Sequence, residues 1–120
     1  MAKILLIDDM QAVRAAIASV LRKSGHEVEE APDGQEALAR CKSTAFDIVI
    51  TDIMMPNVDG VDVITSLKAA TNCPPVIAMS GGGAGVPAAQ ALELAGKLAD
   101  AQLNKPFENE QLLKTVQQFV

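Results

Sequence analysis

The chain contains no tryptophan and no tyrosine, and it has only three phenylalanines among its 120 residues. A surface that stacks nucleic-acid bases on aromatic rings is therefore poorly supplied. Basic residues are in the minority, with ten Lys and Arg against fifteen Asp and Glu and a net charge of −5. Nucleic-acid binders usually present a basic face or stripe, and none is visible here, so we predict no direct nucleic-acid partner.

Long apolar runs and clustered cysteines are missing as well. No stretch approaches the ~20 apolar residues that cross a bilayer, and the run Ile4 to Ile7 is too short for the core of a signal peptide. We therefore predict no membrane partner and a cytoplasmic location. Cys41 and Cys73 are far apart and match no metal or redox spacing. We expect both to be small buried side chains in a reducing compartment.

What the chain does have is an apolar content of 49% and a regular alternation of strand and helix signals. The five predicted strands are Ile4–Ile7, Glu27–Ala31, Phe46–Thr51, Pro75–Met79 and Ala101–Asn104. The five predicted helices cover residues 10–24, 35–44, 61–67, 87–95 and 107–119. Such alternation with short loops predicts an α/β fold, with one doubly wound five-stranded parallel sheet flanked by five helices. We interpret residues 1–120 as a single domain.

Polar side chains stand where four of these strands end. They are Asp8 and Asp9 after the first, Asp52 after the third, Ser80 after the fourth and Lys105 after the fifth. Each alone could be a helix cap, a turn residue or a solvated lysine. In open α/β sheets, however, the binding crevice lies outside the carboxyl ends of the strands. Their shared position predicts a functional site there.

The residue types at this edge indicate phosphoryl chemistry. Three converging carboxylates repel one another unless a cation joins them, and oxygen ligands suit Mg²⁺, for which Mn²⁺ could substitute. Lys105 and Ser80 would neutralise and hydrogen-bond phosphoryl oxygens. A carboxylate placed among these groups can act as a nucleophile and form an acyl phosphate. Asp52, on a central strand, is the best candidate for that role.

These residues resemble a known pattern. The chain resembles response-regulator receiver domains of the chemotaxis-regulator type in four places. These are Ile7-Asp8-Asp9, the stretch from Asp52 to Gly60, Ser80 and Lys105-Pro106-Phe107. The second stretch fits the family pattern of Asp, three residues, Pro, two residues and Asp-Gly. The resemblance covers the whole chain and implies a flavodoxin-like sheet with strand order 2-1-3-4-5.

The resemblance also implies a set of metal ligands. Asp52 would accept the phosphoryl group. The carboxylates of Asp9 and Asp52 and the backbone carbonyl of Met54 would bind Mg²⁺. Asp8 would contribute through metal-bound water.

The remaining implied roles concern signalling. Lys105 would pair with the phosphate, and Ser80 would move its hydroxyl onto the phosphoryl group in the active state. The donor would be a phosphohistidine on a sensor histidine kinase or a histidine phosphotransfer protein. The recipient of the signal would be a downstream protein target or an attached output domain. Such a domain assists its own phosphorylation and dephosphorylation but is not a turnover enzyme. Gln102 stands where many members carry an aromatic switch residue, so we expect the signal to travel by loop and helix movement.

Three alternatives remain open at this point. A haloacid-dehalogenase-type phosphatase would require Asp-x-Asp after the first strand, whereas Asp8 and Asp9 are adjacent. A flavodoxin-like electron carrier would place Ser, Thr and Gly there, because an acidic pair repels a flavin phosphate. A receiver-shaped docking module that works without phosphorylation is the strongest of the three alternatives, and the complete set of polar strand-end residues argues against it.

Overall fold

The computed structural model describes residues 2–52, 74–80, 99–104 and 107–119. Within these ranges the elements, numbered in chain order, are β1 (Lys3–Ile7), α1 (Gln11–Lys23), β2 (Glu27–Ala31), α2 (Gly34–Ser43), β3 (Ile48–Asp52), β4 (Val76–Ser80), β5 (Ala101–Asn104) and α3 (Asn109–Gln117). The helices predicted over 61–67 and 87–95 lie outside the described residues.

The five strands form one parallel sheet in the order β2-β1-β3-β4-β5, as the resemblance implied. The central strands are continuous apolar runs, and in β1 the residues from Ile4 to Ile7 are fully buried. Strands covered on both faces lose their alternation of apolar and polar residues, which is why these runs could be recognised in the sequence.

Neighbouring glutamates on the edge strand β2 show that helices cover both faces of the sheet. Successive side chains of a strand point to opposite faces. Glu30 pairs with Arg14 and Arg22 of α1, whereas Glu29 pairs with Arg40 of α2. Helices α1 and α2 therefore lie on opposite faces, as a doubly wound sheet requires.

The face that carries α1 also carries α3 and holds the main apolar core. Ile17 and Leu21 of α1 and Leu112 and Val116 of α3 pack with alternate strand residues in one buried cluster. On the other face, Ala37 of α2 is buried. There the side chain of Arg40 donates hydrogen bonds to Glu36 and Glu29, and these raise the pKa of Arg40. Cys41, one turn after Ala37, is half-buried rather than buried as we expected.

Two helix boundaries follow from specific capping groups. Helix α1 ends at Lys23 because Gly25 adopts a φ of 94°, a backbone conformation that glycine tolerates. The N–H of Gly25 donates to Arg22 and that of His26 donates to Leu21, which is the Schellman arrangement. Helix α2 begins after Asp33, whose carboxylate accepts the N–H of Glu36 at 2.8 Å.

Strand β3 begins at Ile48, two residues later than the apolar pattern predicted. The reason is Asp47, whose N–H donates to the carbonyl of Lys3 while its carboxylate accepts the N–H of Lys3, both at 2.8 Å. The same exchange, with the same distances, joins Asp100 to Val76 ahead of β5. We call these two pairs the aspartate clamps. They satisfy backbone groups at the start of a neighbouring strand and set its register.

Helix α3 is shorter than the predicted 107–119. It begins at Asn109 after Glu108, whose carbonyl accepts the N–H of Leu112. It ends at Gln117, and Phe119 follows it as a partly buried side chain against the core. Phe119 therefore continued the apolar pattern of the sequence without being part of the helix.

Candidate metal centre

Three of the predicted site residues meet at the carboxyl ends of β1 and β3. Asp8 directly follows β1 and Asp52 is the last residue of β3, and the register places Ile7 beside Thr51. One carboxylate oxygen from each of Asp8, Asp9 and Asp52 lies within 4.8 Å of the other two. We call these three residues the acidic cluster. The parallel pairing of β1 with β3 brings it together from distant parts of the chain.

Burial makes this cluster electrostatically costly without a counterion. Asp8 is fully buried and Asp52 is 5% exposed, whereas Asp9 is exposed to solvent. Carboxylates that share a site disfavour one another's charge, and burial increases that penalty. Three carboxylate donors, one of them on a solvent-exposed residue, match a hard divalent cation that retains several waters. The donor set therefore fits Mg²⁺ or Mn²⁺.

Hydrogen bonds of both the backbone and the side chain hold Asp8 from three directions. Its N–H donates to the carbonyl of Ala31 on β2 at 3.2 Å. Its carboxylate accepts the N–H of Met10 at 2.9 Å, and its carbonyl accepts Nη1 of Arg14 at 2.6 Å. The fully buried residue is thus tied to β2, to its own loop and to α1.

The buried hydroxyl of Thr51 lies beside Asp52. Thr51 is fully buried in β3, and its hydroxyl donates to the carbonyl of Asp52 at 3.1 Å. This bond constrains the backbone at the point where β3 leaves the sheet.

The other predicted site residues lie partly or wholly outside the residues that the structure describes. The backbone of Ser80 ends β4, whose neighbour β3 ends at Asp52, so Ser80 belongs to the same sheet edge. The side chain of Ser80 and the whole of Met54 and Lys105 fall outside the described residues. Their roles remain predictions.

Arg14 is a residue that the sequence reading missed. The spacing of apolar residues in α1 puts Arg14 on the polar side of the helix, yet its side chain is only 13% exposed. Besides the carbonyl of Asp8, it contacts Glu30, with Nε 3.2 Å from Oε1. An arginine one turn after residues 8–10, which connect β1 to α1 and which we call the acidic loop, was the available signal. No local pattern indicated its partners.

A histidine that follows the glycine of a helix–strand turn is expected at the surface, and His26 departs from that expectation. It is half-buried, and its Nδ1 accepts the N–H of Ala2 at 3.0 Å. It thus anchors the start of β1, at the opposite end of the strand from the acidic cluster.

Among the residues that the structure describes, no helix has both the length and the apolar character that a membrane crossing requires.

Comparisons with known proteins converge on one family. The family model of the response regulator receiver domain matches residues 4–117. The chain is 40% identical over 114 residues to the transcriptional regulatory protein PrrA of Mycobacterium leprae, which covers 95% of this chain and 48% of PrrA. It thus spans about half the length of the curated relatives it matches.

Solved structures agree in fold over the full length. The chemotaxis protein CheY4 of Vibrio cholerae superimposes with a TM-score of 0.85 at 31% identity, covering 100% of this chain and 99% of that one. The response regulator TrrA of Thermotoga maritima, solved in complex with Mg²⁺-BeF, has a TM-score of 0.86 at 26% identity and covers 100% of both chains.

Proposed function

The chain belongs to the response regulator receiver domains, and from this membership we propose that Asp52 is the residue that accepts the phosphoryl group. The observation that carries the proposal is the position of Asp52. It ends the central strand β3, is 5% exposed, and lies within 4.8 Å of the carboxylates of Asp8 and Asp9. We further propose that residues 1–120 form one such domain.

The proposed reaction moves a phosphoryl group from a phosphohistidine to Asp52. A carboxylate oxygen of Asp52 attacks phosphorus, the new P–O bond forms, and the P–N bond breaks with its electron pair remaining on the imidazole nitrogen. The product is an acyl phosphate. Attack of water on phosphorus later releases inorganic phosphate and regenerates the carboxylate. Because phosphoryl transfer depends mainly on positioning and charge stabilisation, the rigid hold on Asp8 and Asp52 is what the protein must provide.

The acidic cluster would hold the divalent cation. Asp9 and Asp52 would bind Mg²⁺ directly, Asp8 would act through bound water, and the carbonyl of Met54 would complete the protein ligands. Mn²⁺ could substitute. When bound, such a cation neutralises charge on the phosphoryl oxygens and on the carboxylates. The buried carboxylates of Asp8 and Asp52 support this assignment, since a cation offsets their repulsion.

Two further residues would act on the phosphorylated state. Lys105 would pair with the phosphoryl group, and Ser80 would donate its hydroxyl to it. Gln102, exposed on β5, cannot supply an aromatic switch, so the signal would pass through loop and helix movement. Support comes from the strand order, in which the end of β4 lies next to that of β3 and the end of β5 lies next to that of β4.

The biological setting follows from the family. The chain is a signalling phosphoacceptor, and we propose that it assists its own phosphorylation and dephosphorylation without being a turnover enzyme. The donor would be a sensor histidine kinase or a histidine phosphotransfer protein in the cytoplasm. The recipient would be a downstream protein or an attached output domain.

Intact mass after incubation with acetyl phosphate tests the central claim. Wild type should gain the mass of one phosphoryl group with Mg²⁺ and none with EDTA. Asp52→Asn should gain nothing, because an amide is a poor nucleophile. Asp47→Asn, at the opposite end of β3, is the matched control and should be phosphorylated like wild type. A phosphoryl gain in Asp52→Asn would contradict the assignment. Absence of both phosphorylation and Mg²⁺ binding in wild type would favour a docking module instead.

A further inference from the structure

Arg14 links the acidic loop to the edge of the sheet. It extends from α1 with a side chain that is 13% exposed. Its Nη1 donates to the carbonyl of Asp8 at 2.6 Å, and its Nε donates to Oε1 of Glu30 at 3.2 Å. The planar guanidinium presents donors in a fixed geometry, so both contacts form from one rigid group.

The carbonyl that Arg14 holds belongs to the peptide that joins Asp8 to Asp9. A peptide unit is planar, so a hydrogen bond to this oxygen restricts rotation of the whole plane that leads into Asp9. Two further hydrogen bonds of Asp8 act on its N–H and its carboxylate. Arg14 acts on a different group, the carbonyl on the side of Asp8 that leads to the exposed acid.

We infer that Arg14 is a positioning residue, which holds the Asp8–Asp9 peptide so that the acidic cluster keeps the shape needed for a divalent cation. Glu30 holds the guanidinium in turn. This inference rests on the proposed function, because it presumes that the acidic cluster binds Mg²⁺. Groups that orient metal ligands from outside typically change metal affinity 10- to 100-fold when removed.

The direction in which Mg²⁺ affinity changes when Arg14 is removed distinguishes a positioning role from a purely electrostatic one. Arg14 is a cation close to the acidic cluster, so Coulomb repulsion alone predicts that its removal tightens Mg²⁺ binding. Positioning predicts the opposite, a weaker affinity. The charge effect also fades at high salt, where the Debye length falls to ~3 Å at 1 M, whereas a geometric effect persists.

Arg22 provides a matched control on the same helix. It also pairs with Glu30, with Nη1 3.3 Å from Oε2, and it also donates to a backbone carbonyl, that of Val28 at 2.9 Å. It differs from Arg14 in the carbonyl that it holds, since Val28 lies in β2 and Asp8 in the acidic loop. A loss of Mg²⁺ affinity that occurs in the Arg14 variant and not in the Arg22 variant therefore reports on the acidic loop.

The experiment compares wild type, Arg14→Gln and Arg22→Gln in the full chain. Isothermal titration calorimetry with MgCl₂ gives the Kd at low and high KCl, and urea unfolding gives the stability of each variant. We expect Arg14→Gln to bind Mg²⁺ at least about tenfold more weakly than wild type at both salt concentrations. Arg22→Gln should stay within about twofold of wild type, the range left for a distant charge under screening.

Arg14→Lys keeps the charge and protects the test against a variant that fails to fold. A lysine has one ammonium and cannot reproduce both contacts of the fork, so its Mg²⁺ affinity should lie between those of wild type and Arg14→Gln. The inference would be overturned if Arg14→Gln bound Mg²⁺ as tightly as Arg22→Gln, or more tightly. If Arg14→Gln were unfolded, a wild-type Mg²⁺ affinity in Arg14→Lys would overturn it instead. Wild type that binds no Mg²⁺ would instead refute the proposed function, and the inference with it.

Discussion

A variant that lacks one charge of the acidic cluster should be more stable than wild type in the absence of metal. In the presence of Mg²⁺ it should be less stable than wild type. The perturbation is Asp52→Asn, which keeps the shape of the side chain. The carboxylate oxygens of Asp52 and Asp8 lie within 4.8 Å of each other. At an effective dielectric constant of about 20, that separation corresponds to a repulsion of about 3.5 kcal/mol.

Neighbouring positive groups reduce the stability that Asp52→Asn gains from the lost repulsion. The guanidinium of Arg14 and the N-terminus of α1 both lie beside Asp8 and favour the charged cluster. We therefore expect Asp52→Asn to raise the free energy of unfolding in EDTA by about 1–2 kcal/mol. With a slope of about 2 kcal/mol per molar urea, the midpoint should rise by about 0.5–1 M.

Mg²⁺ should reverse the order of stability of wild type and Asp52→Asn. A ligand present at 100 times its Kd stabilises the protein that binds it by about 2.7 kcal/mol. Wild type would gain that amount, whereas Asp52→Asn has lost one of the three carboxylates and should gain much less. Because the chain has no Trp or Tyr, far-UV circular dichroism should follow unfolding in urea, in EDTA and in excess MgCl₂.

The control is Asp47→Asn, which is far from the acidic cluster and should respond to Mg²⁺ as wild type does. The reasoning would be refuted if Asp52→Asn were less stable than wild type in EDTA. It would also be refuted if the variant and wild type gained equal stability from Mg²⁺.

Three smaller predictions concern the scaffold, and urea unfolding in EDTA checks each. Replacing the clamp residue Asp47 or Asp100 by Ala should cost about 1 kcal/mol, because a strand-start N–H loses its acceptor, and Asn should restore much of it. Gly25→Ala should cost about 1 kcal/mol, since its φ of 94° disfavours a Cβ although nothing lies within 4 Å to clash with one. Asp33→Ala should cost about 1 kcal/mol by removing the cap on the N–H of Glu36, and Asp33→Ser should recover most of that.

Each of these has a specific contrary result. Equal losses for Asn and Ala at a clamp would show that the acceptor oxygen is not what matters. An unchanged midpoint in Gly25→Ala would show that the turn relaxes at no cost. A loss in Asp33→Ser as large as in Asp33→Ala would assign the effect to something other than capping.

Much of the fold was predictable because its signals are local. Strands β2 and β5 lie where the sequence placed them, and the other described elements differ at their ends by one or two residues. A strand buried on both faces must be apolar throughout, and a helix on one face must repeat its apolar residues every three or four positions. Both constraints can be read within a window of about ten residues. The strand order came from the family resemblance, and the structure confirms it.

The acidic cluster was predictable for a different reason. Parallel strands all present their carboxyl ends at one edge, so polar residues that end apolar runs must gather there. The sequence determined that Asp8, Asp9 and Asp52 share this edge. It could not determine their burial or separation, because both depend on how β1 pairs with β3.

Only the tertiary structure decided which side chains support the two ends of the strands. Arg14 reaches Glu30 across a helix–strand interface, Asp47 reaches Lys3 on the neighbouring strand, and His26 reaches Ala2 at the start of β1. These partners are far apart in the chain and follow no periodic pattern. Their pairing exists only after the sheet has assembled, since until then each polar group is hydrogen-bonded to water.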